Sequence, residues 1–165
     1  MTPHTVRHLY GSSCPVLFLS VINLLPSRCC SLSVLDISGC YFDSTRLVAP
    51  FPSLKKLNIN GTNIKYISSI FPLLEEVHAA RTNVVLSDLD EILLSSPNLL
   101  LIDLCNTKVE MHTIETIIPT LSHLAWLNLS SCRSISRELR HKYCGDFKGS
   151  SIVENIPIID YKEVS

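Results

Sequence analysis

Aliphatic residues recur along the chain at fixed offsets, and this pattern predicts a series of similar short strands. Five segments share the arrangement L-x-x-L-x-L-x-x-(C/T), with Val, Ile or Ala in place of some leucines. Their starts lie 22, 20, 25 and 25 residues apart, a spacing typical of repeat architectures. The segments are residues 32–40, 54–62, 74–82, 99–107 and 124–132.

The centre of each segment alternates between aliphatic and other residues with a period of two. This alternation predicts a strand whose leucines point inward and whose intervening side chains point outward. The first leucine and the terminal Cys or Thr are expected to turn into the same core, where the small terminal residue donates to carbonyls of the neighbouring coil. Pro52, Pro72 and Pro97 stand two residues before three of the segments, where proline ends the preceding stretch.

The stretches between the strands differ in length, and so do the elements they predict. Residues 86–94 carry apolar side chains at helical offsets, with Ser87 or Asp88 as the expected N-cap. Residues 111–118 predict a second helix of this kind. Residues 67–71 leave room only for a turn or a 3₁₀ helix.

The two ends of the chain are expected to cover the outermost layers of the core. Residues 15–25 predict an N-terminal cap helix or, alternatively, the helix of a repeat whose strand is degenerate. Residues 1–10 match neither a cap nor a repeat. Residues 135–144 predict an amphipathic helix closed by Gly145, and the apolar run 152–159 in the tail is expected to lie against the last layer.

Composition and charge exclude several classes of function. The chain is 46% hydrophobic and 18% charged, as expected of a folded protein, and its net charge of −1 argues against binding to nucleic acid or to an acidic membrane. The motifs GxxxxGK[ST], GxGxxG, GxSxG and HExxH do not occur in the sequence. We therefore expect no enzymatic activity and no cofactor.

Seven cysteines occur at spacings that match no zinc motif, so no metal site is expected. Reduced, half-buried thiols in a cytoplasmic or nuclear protein are the favoured interpretation. Secretion is the alternative, because residues 14–25 resemble the apolar part of a signal peptide and Asn60 and Asn128 lie in glycosylation sequons. The apolar stretch is too short to span a membrane.

The phrases LeuAspIleSerGlyCys, ending at Cys40, and LeuAsnLeuSerSerCys, ending at Cys132, carry a family resemblance. With the closing CysArgSerIleSer, they resemble leucine-rich repeats of the cysteine-containing and ribonuclease-inhibitor-like classes, as in F-box ubiquitin-ligase adaptors. The resemblance covers about residues 30–145; three segments end in Thr where the class has Cys, and no F-box is present in the sequence as given.

This resemblance implies an α/β leucine-rich-repeat solenoid. Such a fold is a right-handed β/α superhelix with short parallel strands on its concave face and with helices and 3₁₀ turns on its convex face. The expected organisation is an N-terminal segment or cap helix over residues 1–31, five repeats over 32–133, a C-terminal cap helix over 134–145 and a tail over 146–165.

The outward strand positions form the expected binding surface for a protein partner. Lys56 and Glu76 face each other, as a recognition strip or as a simple cross-strand ion pair. His78, between two polar neighbours, is either a pH-sensitive contact or an ordinary polar residue. The candidate binding residues are Val34, Asp36, Lys56, Asn58, Glu76, His78, Leu101, Asp103, Trp126 and Asn128.

Trp126 beside Leu101 predicts an apolar anchor, unless residues 156–159 of the tail cover it. The basic residues at the C-terminal helix either touch an acidic partner or RNA, or they complement the helix dipole and keep the cap soluble. They are Arg133, Arg137, Arg140, His141 and Lys142.

Three functions follow from the sequence. The first is substrate recognition in an F-box-type ubiquitin ligase, with a Skp1–cullin complex as a partner only if an F-box lies outside this chain. The second is a ligase-independent scaffold or regulator, and the third an extracellular receptor fragment.

Overall fold

The structure is a computed structural model that describes residues 6–13, 18–143 and 145–146. The strands are β1 (His8–Tyr10), β2 (Val34–Asp36), β3 (Arg46–Leu47), β4 (Lys56–Asn58), β5 (Tyr66–Ile67), β6 (Glu76–His78), β7 (Leu101–Asp103), β8 (Trp126–Asn128) and β9 (Gly145–Asp146). The helices are α1 (Leu19–Arg28), α2 (Leu86–Ser95) and α3 (Arg137–Tyr143), with a π-helical turn at Thr113–Ile117 and a 3₁₀ turn at Ile118–Thr120.

Seven strands form one sheet in the order β1-β2-β4-β6-β7-β8-β9. The first six are parallel to their neighbours, and β9 runs antiparallel to β8. Each of the five predicted segments contains one of these strands, in the predicted register. The protein is therefore an α/β protein with a mostly parallel sheet. The central residues that lie side by side are Leu9, Leu35, Leu57, Val77, Ile102 and Leu127.

The hydrophobic core lies beneath this sheet and is continuous along it. Leu35, Leu57, Ile102 and Leu127 are all fully buried, as the period-two alternation predicts. The first leucine of every segment is buried as well. Burial of one such side chain contributes about 1.5–3 kcal/mol, so the stacked aliphatic residues are the main source of stability.

The chain leaves six strands by the same kind of turn. In each turn one residue has a φ between 53° and 66°, and the next is a Cys or a Thr. Glycine and asparagine tolerate this left-handed conformation best, which accounts for Gly39, Gly61 and Asn106. The other three turns place Ser13, Arg81 and Ser131 there.

The expectation for the N-terminus was wrong in one respect. Residues 1–10 were expected to match neither a cap nor a repeat, yet His8–Tyr10 pairs in parallel with β2 in the same register as the repeated strands. Gly11 stands where the next segment has Ile37, and this loss of an aliphatic residue hides the pattern. Helix α1 therefore connects two neighbouring parallel strands, which agrees with the second of the two interpretations given for residues 15–25; residues 14–17 lie outside the described residues.

The outer elements agree with the sequence only in part. Helix α2 was correctly predicted, but neither Ser87 nor Asp88 caps it, because Val85 occupies the N-cap position. The Asp88 carboxylate instead accepts a hydrogen bond from the backbone N–H of Ile67 at 2.8 Å. This bond ties α2 to strand β5.

The second predicted helix, residues 111–118, is irregular. Most of it is the π-helical turn, and the 3₁₀ turn follows immediately. Pro119 has no N–H, and its ring clashes with the carbonyl four residues earlier in a regular α-helix, which explains why the last turns change pitch.

No 3₁₀ helix forms over residues 67–71. Strands β3 and β5 pair in parallel instead, with Arg46 beside Tyr66 and Leu47 beside Ile67. The connections are too short for a helix, so the extended backbones satisfy their hydrogen bonds by pairing.

The C-terminal helix is shorter than predicted. It spans Arg137–Tyr143 and does not include Ile135, which is buried in the preceding loop. Gly145 does not close the helix but belongs to β9. Residues 152–159 lie outside the described residues.

Candidate functional site

The ten candidate side chains lie on one face of the sheet, opposite the core. In each of the five strands the outer two residues are half-buried and the central one is buried. We call this surface the open face and divide it into two columns. The first column is Val34, Lys56, Glu76, Leu101 and Trp126. The second column is Asp36, Asn58, His78, Asp103 and Asn128.

Strand β1 extends both columns by one residue that the sequence did not suggest. His8 lies beside Val34, and Tyr10 lies beside Asp36. The two rings contact each other edge to face, with centroids 6.2 Å apart. The alternation of Leu9 between two aromatic residues was the available signal.

Four residues of the second column stabilise the turns that follow their strands. The Asp36 carboxylate accepts a hydrogen bond from the N–H of Ser38 at 3.0 Å, and the Asn58 amide oxygen accepts one from Asn60 at 3.1 Å. Asp103 and Asn128 make the same contact with the residue two positions ahead. This is the local bonding that Asp and Asn provide in turns.

The same side chains also bond across strands. The Asn58 amide donates to the Asp36 carboxylate at 2.9 Å, and the Asn128 amide donates to the Asp103 carboxylate at 3.0 Å. These four candidate residues therefore have a structural role in holding neighbouring turns together.

His78 is the exception in the second column. The N–H two positions ahead, that of Ala80, donates instead to the side chain of Asn60 in the adjacent turn at 2.6 Å. The imidazole is thus not needed for the turn. Its Nε2 lies 3.4 Å from Oε2 of Glu76 on the same strand.

Glu76 is the centre of a charged cluster formed with Lys56 and His78. Lys56 Nζ lies 2.7 Å from the same Glu76 oxygen, so the expected cross-strand ion pair is present. The hydrogen bond from His78, together with the bond and charge of Lys56, lowers the pKa of Glu76 to about 2, although its partial burial acts in the opposite direction.

Leu101 and Trp126 lie side by side, as predicted. Both are half-buried, so Trp126 is less accessible than a fully exposed anchor. Strand β9 pairs along the edge of β8, with Asp146 opposite Trp126. The tail residues 156–159, which were expected as a possible cover, lie outside the described residues.

Within the described ranges, no group of three His, Cys, Asp or Glu residues is arranged to hold a metal ion. The helices in that part of the chain are also too short or too polar to cross a bilayer. No family model, curated protein or solved structure matches this chain.

Proposed function

We propose that this chain is a leucine-rich-repeat interaction module, a solenoid that binds a protein partner on its open face. The parallel strands in constant register, the aliphatic side chains stacked beneath them and the recurring left-handed turn all support this proposal. In such a solenoid the open face is the concave surface. The chain itself catalyses no reaction.

The difference between the two columns carries the proposal. Four members of the second column are occupied by turn bonding, whereas Val34, Leu101 and Trp126 of the first have no such role. No turn hydrogen bond therefore fixes the identity of these three side chains, as expected at a recognition surface. We propose that binding energy is concentrated at Leu101 and Trp126, with the Glu76 cluster selecting the charge of the partner.

Three alanine substitutions, two at predicted anchors and one at a control position, test this assignment. Leu101→Ala should weaken partner binding about tenfold or more, and Trp126→Ala about thirtyfold, because aromatic and aliphatic anchors dominate such interfaces. Leu94→Ala is the matched control, since Leu94 is 63% exposed on helix α2. The measurement is the affinity of each variant for a partner captured by the wild-type chain; equal effects at Leu94 and Leu101 would contradict the proposal.

Within this function, we propose substrate recognition in an F-box-type ubiquitin ligase as the first candidate. Its support is the Cys and Thr repeat pattern, and it requires an F-box elsewhere in the full-length protein. Co-purification of the full-length gene product with a Skp1–cullin complex tests it. Failure of that co-purification, with the open-face partner still bound, would favour a ligase-independent scaffold.

The cysteines support a reducing compartment, the cytoplasm or nucleus, for this function. The thiol of Cys40 donates to the carbonyl of Gly11 at 2.7 Å, and that of Cys132 donates to Leu104 at 3.0 Å. Both are buried and serve as hydrogen-bond donors, a role that a disulfide would remove. An extracellular receptor fragment is correspondingly less well supported.

A further inference from the structure

A second polar surface lies at the carboxyl ends of β6, β7 and β8, outside the open face. Here a cavity of about 400 Å³ is lined by residues of three turns, namely 81–83, 106–108, and 131 with 133–134. This volume falls in the range of small-ligand sites, roughly 300–1,000 Å³. Every lining residue is polar or cationic, and none is a carboxylate.

The cavity contains three cations, Arg81, Lys108 and Arg133. All three are exposed, and none forms a salt bridge with a carboxylate of the described residues. Lys55 and Lys56, by contrast, are each paired with a glutamate on the neighbouring segment. The positive charge in the cavity is therefore uncompensated by its own lining, which attracts anions.

Arg81 occupies a position that suits its backbone poorly. Its φ is 55°, and the five equivalent turns place a small or short polar residue there: Ser13, Gly39, Gly61, Asn106 and Ser131. A residue with a long side chain pays roughly 1–2 kcal/mol in this conformation. Arg81 has the one long side chain among these six turns, and a binding role for its guanidinium would account for it.

Neutral hydrogen-bond donors complete the site. The side chains of Asn83, Asn106, Ser131 and Ser134 make no hydrogen bond within the part of the chain that the structure describes. The guanidinium of Arg140 adds positive charge nearby, because it donates to the carbonyl of Cys132 at 2.7 Å. Cations surrounded by amide and hydroxyl donors are the groups that bind phosphate.

We propose that this cavity binds a tetrahedral oxyanion, a phosphoryl group that is either free phosphate or part of a phosphorylated side chain. None of the ten open-face residues lines the cavity, so the site is separate from the proposed protein-binding surface. The two sites can be tested independently.

The experiment is an NMR titration of the full chain at constant chloride concentration. The probes are inorganic phosphate, a short peptide with one phosphoserine, and the same peptide without phosphate. We expect saturable shifts at the backbone amides of residues 81–83, 106–108 and 131–134. Each of Lys108→Gln and Arg133→Gln should weaken binding about tenfold, since each removes a charge-assisted hydrogen bond.

Two further variants control for charge and folding. Lys65→Gln makes the same charge change at an exposed lysine outside the cavity and should leave binding unchanged. Arg81→Gly removes the guanidinium but suits the positive φ, so it should weaken anion binding while the chain remains folded.

The three probes separate the sources of the phosphoryl group. Equal affinity for phosphate and phosphopeptide supports a site for the free anion. Tenfold tighter binding of the phosphopeptide, with no binding of its unphosphorylated form, supports a phosphorylated partner. The absence of saturable shifts, or an equal loss in Lys65→Gln, overturns the proposal. Trp126→Ala should not affect any of these titrations. Failure of the proposed open-face binding can therefore be distinguished from failure of the anion site.

Discussion

At the scale of single residues, the turns after the strands allow backbone and packing effects to be separated. Gly61 has a φ of 66°, and a Cβ there would meet no atom within 4 Å. Gly11 has no positive φ, and a Cβ there would make only ordinary contacts, the nearest at 3.8 Å.

We therefore expect Gly61→Ala to lower the free energy of unfolding by about 1 kcal/mol, because alanine is strained at positive φ. Gly11→Ala should be neutral or stabilise by up to about 1 kcal/mol, because it restricts only the unfolded chain. Urea denaturation of both variants measures the difference. Equal losses would mean that space, and not backbone conformation, limits these turns.

Two buried threonines in equivalent turns differ in their hydrogen bonding. The hydroxyl of Thr82 donates to the carbonyl of Ala79 at 2.6 Å, whereas that of Thr62 has no partner among the described residues. Thr62→Val should raise the free energy of unfolding by about 1 kcal/mol, and Thr82→Val should lower it by about 1 kcal/mol. Thermal or chemical unfolding of the two variants gives the sign of each change in free energy of unfolding. A destabilised Thr62→Val would show that the Thr62 hydroxyl forms a hydrogen bond in solution.

Glu76 predicts a dependence of stability on pH. Its pKa in the folded protein, about 2, lies below the ordinary value of 4.5. The lowered pKa therefore contributes stability above pH 4.5, and this contribution is lost as the pH falls from 4.5 towards 2. The side chain is 34% exposed, so solvent screening reduces the contribution to about 1 kcal/mol.

Denaturation of the wild-type chain and of Glu76→Gln at pH 7, 4 and 2.5 measures this contribution. The difference in free energy of unfolding between the wild-type chain and Glu76→Gln should become smaller as the pH falls. Glu75→Gln is the control for loss of a charge, since Glu75 pairs with Lys55 but has no histidine contact. A constant gap across the range would show that the carboxylate is not stabilised by folding.

At the scale of elements, the sequence predicted the inner strands well because their alternation is strict and repeated. It failed at β1, where Gly11 replaces an aliphatic residue, and at β3 and β5, which have two residues each. These strands exist because tertiary neighbours satisfy their backbones, a cause that no local pattern contains. The left-handed turns were also missed, since only Gly39, Gly61 and Asn106 indicate them by residue type.

The predicted capping of α2 failed for a related reason. Asp88 has the chemistry of a cap, but a long-range donor, the N–H of Ile67, takes its carboxylate. Asp88→Ala should lower the free energy of unfolding by about 1–2 kcal/mol, because that N–H loses its acceptor. Ser87→Ala should change it by less than about 0.5 kcal/mol. Guanidinium denaturation measures the free energy of unfolding of both variants. A larger loss of stability in Ser87→Ala than in Asp88→Ala would restore the capping interpretation.

For the molecule as a whole, the sequence predicted where the candidate binding residues lie, but it did not predict which of them have structural roles. All ten candidate residues lie on one face because the side-chain period of a strand is fixed. That Asp36, Asn58, Asp103 and Asn128 support turns, while His78 does not, depends on side-chain geometry. The cavity proposed to bind an oxyanion was missed because its three cations are far apart in sequence. Lys108 follows Arg81 by 27 residues, and Arg133 follows Lys108 by 25, so the three meet only through the parallel stacking of turns.

The order of the large sheet has a consequence for how the chain folds. Apart from β3 and β5, every strand pairs with the preceding strand in sequence, and partners of the parallel pairs are 20 to 26 residues apart. Loops of this length cost little entropy to close, so any two adjacent layers can serve as a nucleus on which the others assemble. Refolding should therefore begin at different pairs of neighbouring strands in different molecules, so that the chain folds by more than one route.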